Sequence, residues 1–429
     1  MKKLTGIILS SLIAFGMTAC GSEDSQEGQT GFEPKLDKAT ACKISIAGTY
    51  SNFEALEAEF DRFNEYYPNV EMSYTKIDDY NNSIATVLNG NDAPNIFFSF
   101  SWMTGNSAYD SVFAHMENLA DDSLGLDLDC IRPGLLSRDS EERVLTVPVF
   151  STSYGMLVNN DLFEKEGLKV PGTLQELFDV CASFREKGYA SPMMGYSADS
   201  SGCLMNTVAY PVFAGTLAEH PEMVAPANQC DPAAGEYMRP ALETLSQLID
   251  KGCIDLEKCG GISDNYTEVI LRFFEGDVPM MICTGDTVSG TGKRESQSEA
   301  FTAHPFSYTF APIPTTDKGG YFLDSPSVQF SVNNSCSDKD MTNEFMRFLI
   351  SKTELNQMAS VKRLITPTKD LSFDKVYAPL GDTASELIIS PAALGIEDTL
   401  AVQIRLASYQ VGTGVLSIDE AVAKYGTLK

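Results

Sequence analysis

Histidine is scarce in this chain and tryptophan nearly absent: His115, His220 and His304 are the only histidines, and Trp102 is the single tryptophan, in 429 residues. The histidines stand far apart and no C-x-x-C pattern accompanies the ten cysteines, so the sequence offers no zinc-type ligand set and no metal site is expected. Basic residues are also few, 31 Lys and Arg against 59 Asp and Glu, for a net charge of −28. Such a surface repels nucleic acid and anionic lipid. It suits a neutral or cationic ligand, or serves solubility. Beyond the first twenty residues there is no uncharged apolar run of the length a membrane span needs, and there is no internal repeat. What is present is a 43% hydrophobic composition, enough to build a large core over two to three domains.

The first residues have a layout of their own. Lys2 and Lys3 form a positive start, residues 4–17 are apolar or small, and Met17-Thr18-Ala19 leads to Cys20. This reads as a secretory signal peptide over 1–20, too short to span a bilayer. The cysteine after Thr-Ala resembles a bacterial lipobox, in which the thiol of Cys20 receives a diacylglycerol and becomes the new N-terminus. Two acyl chains, at about 0.8 kcal/mol per buried CH₂, suffice for stable anchoring. Residues 21–41, rich in Gly, Ser, Glu, Asp and Lys, read as a flexible tether spanning about 25 Å. The expectation is an exported protein held to the cell membrane by lipid alone, facing the outside or the periplasm. Export permits disulfides. Beyond Cys20 there are nine cysteines, an odd number, with Cys253 and Cys259 the most natural local pair and Cys203 with Cys230 a looser one.

Past the tether, strand and helix signals alternate. Ile44 and Ile46 alternate with polar residues. Ser51 to Glu54 has capping-box spacing, followed by Leu56, Phe60, Phe63 and Tyr67 at helical intervals. Val70, Met72 and Tyr74 mark a second strand, residues 80–88 a second helix, and Ile96-Phe97-Phe98 a third strand. This β-α-β-α-β order argues for a doubly wound α/β lobe. Further on, Thr173 to Glu176 and Ser417 to Glu420 are two more capping boxes, and residues 278–283 read as a buried strand.

The order of short motifs is more specific than any one of them. From Lys43 onward the chain resembles the extracellular solute-binding proteins, family 1, of carbohydrate-type ABC importers. Phe63-Asn64-Glu65-Tyr66-Tyr67-Pro68-Asn69-Val70 is like the family's F-x-x-x-Y-P-x-V/I. Gly90-Asn91-Asp92-Ala93-Pro94-Asn95-Ile96 is like its G-x-x-P-D-I, with Asn95 in place of the usual Asp. Tyr154-Gly155-Met156-Leu157-Val158-Asn159-Asn160-Asp161-Leu162-Phe163 resembles Y-G-L-x-Y-N-K-D-L-F, and Pro171-Gly172-Thr173-Leu174-Gln175-Glu176-Leu177 resembles P-x-T-W-x-E-L. Similar landmarks stand at residues 274–280, 311–314 and 366–370. The resemblance implies a periplasmic-binding-protein-like fold of two doubly wound α/β lobes, joined by crossing strands and closing on a ligand by hinge motion. Lobe one would take 42–150 and 318–352, and lobe two 151–317 and 353–429. The prolines near Val149 and Ile313 sit where the hinge would lie. It further implies a monomeric receptor that hands its ligand to an ABC permease, with no cofactor.

A sugar needs aromatic faces for its CH surfaces and polar groups for its hydroxyls, placed on loops at strand C-termini. Four loops qualify. They supply Tyr50 and Asn52 after the first strand; Ser99, Ser101 and Trp102 after the third; Tyr154, similar to the family's hinge aromatic, at the first crossing; and Tyr321, Asp324 and Ser325 after Gly319-Gly320. After the strand at 280–283 many relatives place a tryptophan, whereas here the chain runs Thr284-Gly285-Asp286. Asp286 would bind hydroxyls or select a cation such as a polyamine.

Enzyme patterns fail. Thr287 and Arg294 break the P-loop spacing before and after Gly292-Lys293, and Gly195-Tyr196-Ser197-Ala198-Asp199 lacks the second glycine of a nucleophile elbow. With 59 acidic residues, any carboxylate pair could be nominated for a glycan hydrolase, so composition supports none. The sequence reads as a non-catalytic receptor for a sugar or oligosaccharide.

Overall fold

The computed structural model describes residues 31–103, 106–370 and 374–429. Cys20 and the signal lie outside them. Pro34–Lys429 forms one folded body.

Two mixed sheets organise it. The first runs β2-β1-β3-β12-β4, built from β1 (Cys42–Gly48), β2 (Val70–Lys76), β3 (Ile96–Ser99), β4 (Val147–Pro148) and β12 (Gln329–Val332). β1 lies parallel to β2 and β3, and β12 returns antiparallel to β3 and β4. The second runs β7-β8-β6-β9, from β6 (Tyr154–Asn159), β7 (Met193–Gly195), β8 (Met280–Thr284) and β9 (Tyr308–Ala311). This matches the two-lobe α/β architecture that the sequence motifs imply.

Three chain segments cross between the sheets. β5 (Ser151–Thr152) follows β4 and leads into β6. After β9 the chain makes a turn at Thr316 and Gly319. It then forms β10 (Phe322–Leu323), paired with β13 (Ile388–Ile389), and β11 (Ser325–Pro326), antiparallel to β5. The return crossing therefore sits at Ser325–Pro326 and not at the prolines flanking Ile313. The third segment is 364–368, where the amide of Ser151 donates to the carbonyl of Ile365 at 2.9 Å.

The local code holds in two places and fails in one. Thr173 with Glu176 and Ser417 with Glu420 form full capping boxes. Ser51 does not cap. The first helix starts at Glu54, with Phe53 before it and no side-chain cap. Phe53 is fully buried and meets Tyr50 and Phe98 edge-on at 5.0 and 5.9 Å. Burying that ring outweighs one capping hydrogen bond, worth about 1 kcal/mol.

The nine cysteines of the described residues are all free thiols, which corrects both expected pairings. Cys253 neighbours Cys181 of the helix Leu174–Glu186. Cys259 instead lies against the Gly195 backbone. Cys203 is buried in the core of the second sheet, whereas Cys230 sits in a positive-φ turn packed against Gly426. In the native protein a thiol reagent is expected to reach only the partly exposed Cys42, Cys130, Cys230 and Cys336. Cys181, Cys203, Cys253, Cys259 and Cys283 should react only after denaturation, as counted by mass spectrometry of the alkylated chain.

One ion cluster ties the first helix, Glu54–Tyr66, to the helix Lys352–Lys362. Arg62 bonds both Glu59 and Glu354. Two carboxylates on one guanidinium leave a surplus negative charge. Burial drives the Glu59 carboxyl from 4.5 up to about 7, against the pull of Arg62. The folded state therefore holds this proton more tightly than the unfolded chain. The contribution is full below pH 4.5 and is lost as pH rises through about 7. At about 1.36 kcal/mol per unit it amounts to roughly 3 kcal/mol. Urea unfolding at pH 5 and pH 8 should show this loss in the parent protein, and Glu59→Gln should abolish that part of the slope.

Candidate functional site

A cavity of about 1000 Å³ opens where the three segments cross. Its first wall comes from strand ends of the first sheet. β1 runs out at Gly48, where a Cβ would lie 2.5 Å from the Phe98 ring. Only glycine lets the strand pass that ring and deliver Thr49, Tyr50 and Ser51 to the cavity. β3 runs out into Phe100, Ser101 and Trp102, which also line it. Trp102 stacks on Phe100, centroids 5.6 Å apart and planes 11° apart, and takes Tyr109 edge-on at 5.2 Å. The indole is thus held by two ring contacts. Tyr50 is packed between Phe53 and Phe98, and the Lys362 ammonium lies 4.7 Å from its ring centroid.

The floor is the crossing itself: Thr152, Tyr154, Ser325 and Ser327. Tyr154 meets Tyr210 at 90°, centroids 5.5 Å apart. The far wall carries Tyr266, Asp286 and Ser289, and the start of the helix Asp398–Gly412 adds Glu397 and Asp398. Asp286 follows β8. Its amide donates to Thr152 Oγ1 at 3.1 Å, and its carboxylate accepts from the Ser327 hydroxyl.

Burial raises the Asp286 carboxyl above the ordinary aspartate range, opposed by the Ser327 and Thr152 hydroxyls. Burial, with Asp286 nearby, pushes Tyr154 up to about 12 and raises Tyr50 further. Burial also raises Asp398, opposed by Arg405. These tyrosines remain neutral hydroxyls at physiological pH, fit to donate to or accept from ligand hydroxyls.

Of the residues nominated from sequence, the fold brings Tyr50, Ser101, Trp102, Tyr154, Asp286 and Ser325 to the cavity wall. The other four lie elsewhere. Asn52 donates to Glu54 at 2.8 Å on the outside. Ser99 is buried, with its hydroxyl 2.9 Å from that of Ser331. Tyr321 lays its ring over Gly215, where a Cβ would meet it at 2.3 Å. Asp324 is committed to Arg132 at 2.7 Å. Conversely, Phe100, Arg138, Tyr210, Tyr266, Glu397 and Asp398 line the cavity without having been nominated. Tyr210 lies in the helix Leu204–Glu219, which is buried almost all round, so no polar face marks it. Tyr266, Glu397 and Asp398 belong to loops and helix starts far from any strand end. Among the described residues no group of side chains is arranged to hold a metal ion.

Comparison with known proteins places this geometry. The model of the bacterial extracellular solute-binding proteins matches residues 47–354. Among solved structures, the apo form of RafE from Streptococcus pneumoniae superposes with TM-score 0.68 at 16% identity, covering 92% of this chain and 98% of that one. The GacH receptor of Streptomyces glaucescens, solved unliganded and with acarbose, gives 0.64 at 19% identity, covering 90% and 97%. A sugar transporter protein from Bacillus licheniformis in complex with stachyose gives 0.61 at 15% identity, covering 90% and 100%. No curated protein sequence matches.

Proposed function

The chain belongs to the family of bacterial extracellular solute-binding proteins, and on that premise we propose that it captures a sugar or oligosaccharide for an ABC importer while anchored to the membrane through Cys20. It is an exported binding protein and not an enzyme. No described helix is long and apolar enough to cross a membrane.

The observation that carries the sugar reading is the cavity at the crossing. Its six aromatic side chains, Tyr50, Phe100, Trp102, Tyr154, Tyr210 and Tyr266, alternate with hydroxyls and carboxylates. Apolar ring faces with a few convergent polar groups are what a pyranose requires. The similar structures solved with raffinose and stachyose support the same class. The two lobes, built on the first and second sheets, would close about the crossing segments, and the closed form would dock on the permease as a monomer.

Calorimetric titration with raffinose, stachyose, and xylo-, malto- and chitin oligosaccharides tests the claim. At least one should bind with a Kd of about 10 μM or tighter, that is about −7 kcal/mol or better. Silence across the panel would remove the carbohydrate assignment. The anchor has its own test: Cys20→Ala should move the protein from the membrane fraction to the medium or periplasm.

A further inference from the structure

The cavity is short of positive charge. Three carboxylates line it, Asp286, Glu397 and Asp398, against one guanidinium, that of Arg138. Arg138 is partly engaged already, donating to the Glu142 carbonyl at 2.9 Å. Among the described residues, none of the three carboxylates has a Lys, Arg or His nitrogen within 4.0 Å.

Asp286 is the sharpest case. Its partners are two neutral hydroxyls, those of Ser327 and Thr152. Tyr50 and Tyr154 line the same cavity, and Tyr377 is bonded to Gly285, the residue before Asp286 in the chain. Tyr377 spends its own hydroxyl on the Gly285 and Arg363 carbonyls, at 3.1 and 2.9 Å. A carboxylate among aromatic rings, with no cation, is costly to hold ionised. The same surroundings favour a ligand cation, which meets a carboxylate and π-faces together. Asp286 and Asp398 line the same cavity as Tyr154 and Tyr210, whose rings meet edge to face at 90°.

Resting on the reading of this cavity as a saccharide site, we propose that its ligand is a cationic amino sugar oligomer, packed against the cavity's aromatic side chains with a protonated primary amine bound to the Asp286 carboxylate. A neutral sugar fills the aromatic part of the site but leaves the carboxylate charge uncompensated. A linear polyamine satisfies the charge but brings no ring to the aromatic lining.

The test compares three probes on the full chain by calorimetry, at mildly acidic pH where the amine is protonated. These are the fully de-N-acetylated glucosamine trimer, its N-acetylated counterpart and spermidine. The de-N-acetylated trimer is expected to bind at least about 10-fold tighter than the N-acetylated one, and its affinity, unlike that of the N-acetylated trimer, should fall as salt is raised. Asp286→Asn, which keeps an acceptor for Ser327, should weaken it about 10- to 100-fold and close the gap between the trimers. The ratio between the two trimers and its salt dependence need no variant, so they decide the matter even if Asp286→Asn fails to fold. Equal or tighter binding of the N-acetylated trimer overturns the amino sugar assignment and leaves the saccharide receptor standing. Binding of spermidine with no saccharide binding at all, of these trimers or the neutral panel, overturns both.

Discussion

Arg132→Ala is expected to lower the unfolding free energy by about 3–5 kcal/mol, the range for removing one partner of a buried ion pair. All five guanidinium donors are in use. Nε and Nη2 form a fork on Asp324 at 2.7 and 2.8 Å. The second Nη2 hydrogen goes to Ser151 Oγ at 2.7 Å, and Nη1 bonds the carbonyls of Thr366 and Thr368 at 2.7 and 2.8 Å. The acceptors cover all three crossing segments: Ser151 on the first, Asp324 at the second, Thr366 and Thr368 on the third. The side chains of Arg132 and Asp324 are only 12% and 5% exposed, so alanine would leave a carboxylate buried with no cation and remove a donor from each of the Thr366 and Thr368 carbonyls, the former keeping only the Ser151 hydroxyl. Asp324→Asn is the milder lesion, since the amide oxygen still accepts from Arg132. Urea denaturation with linear extrapolation would measure both changes. Arg132→Ala should also weaken ligand binding, because the residues it ties together are neighbours of the cavity floor residues Thr152, Tyr154 and Ser325. Arg132→Lys should not rescue stability. An ammonium has three donors and no planar fork, and cannot reach all three segments at once. A loss below about 1 kcal/mol for Arg132→Ala would mean that the crossing is held by its backbone hydrogen bonds alone.

How much of this could be read from the sequence follows from the range over which each signal acts. Alternation in β1 and helical spacing after Phe53 are local, and both elements formed. Tyr50 and Trp102 were legible because a strand ending in a glycine turn or a Ser-rich loop delivers its next residues to the same end of the sheet. Asp324 misled because a carboxylate near a predicted crossing looks the same whether it faces ligand or an arginine 192 residues earlier in the chain. Tyr210 was silent for the opposite reason. Its helix is apolar on every side, so one cavity-facing tyrosine leaves no periodic trace. The nine thiols show the same limit. Proximity in sequence suggested Cys253 with Cys259, while the fold sets Cys253 against Cys181, 72 positions away along the chain. Local physics placed the elements, and long-range packing decided which polar groups were left to meet a ligand.

Ligand binding is expected to change the intrinsic fluorescence of the protein through one residue, and replacing that residue should cost most of the affinity. Trp102 is the only tryptophan in the chain and lines the cavity. Its ring has Phe100 stacked on one face, and the part of the ring that lines the cavity would cover a sugar ring. The stack on Phe100 and the edge contact with Tyr109 hold the indole in place, so little rotamer entropy is lost when a ligand arrives. A buried aromatic anchor of this kind typically contributes 2 kcal/mol or more at a binding site. Trp102→Ala should therefore weaken binding about 30-fold, a change of about 2 kcal/mol. Trp102→Phe should recover part of it, because a smaller ring still stacks. Stability should change little in Trp102→Phe, so the loss would appear in Kd and not in the urea midpoint. A saturating emission change in the parent protein, with the same Kd by calorimetry, would place the ligand against this ring. Emission that stays constant while calorimetry registers binding would place the ligand away from the Phe100–Trp102 wall, toward Tyr154, Tyr210 and Asp398, and would leave Trp102 as packing for Phe100 and Tyr109.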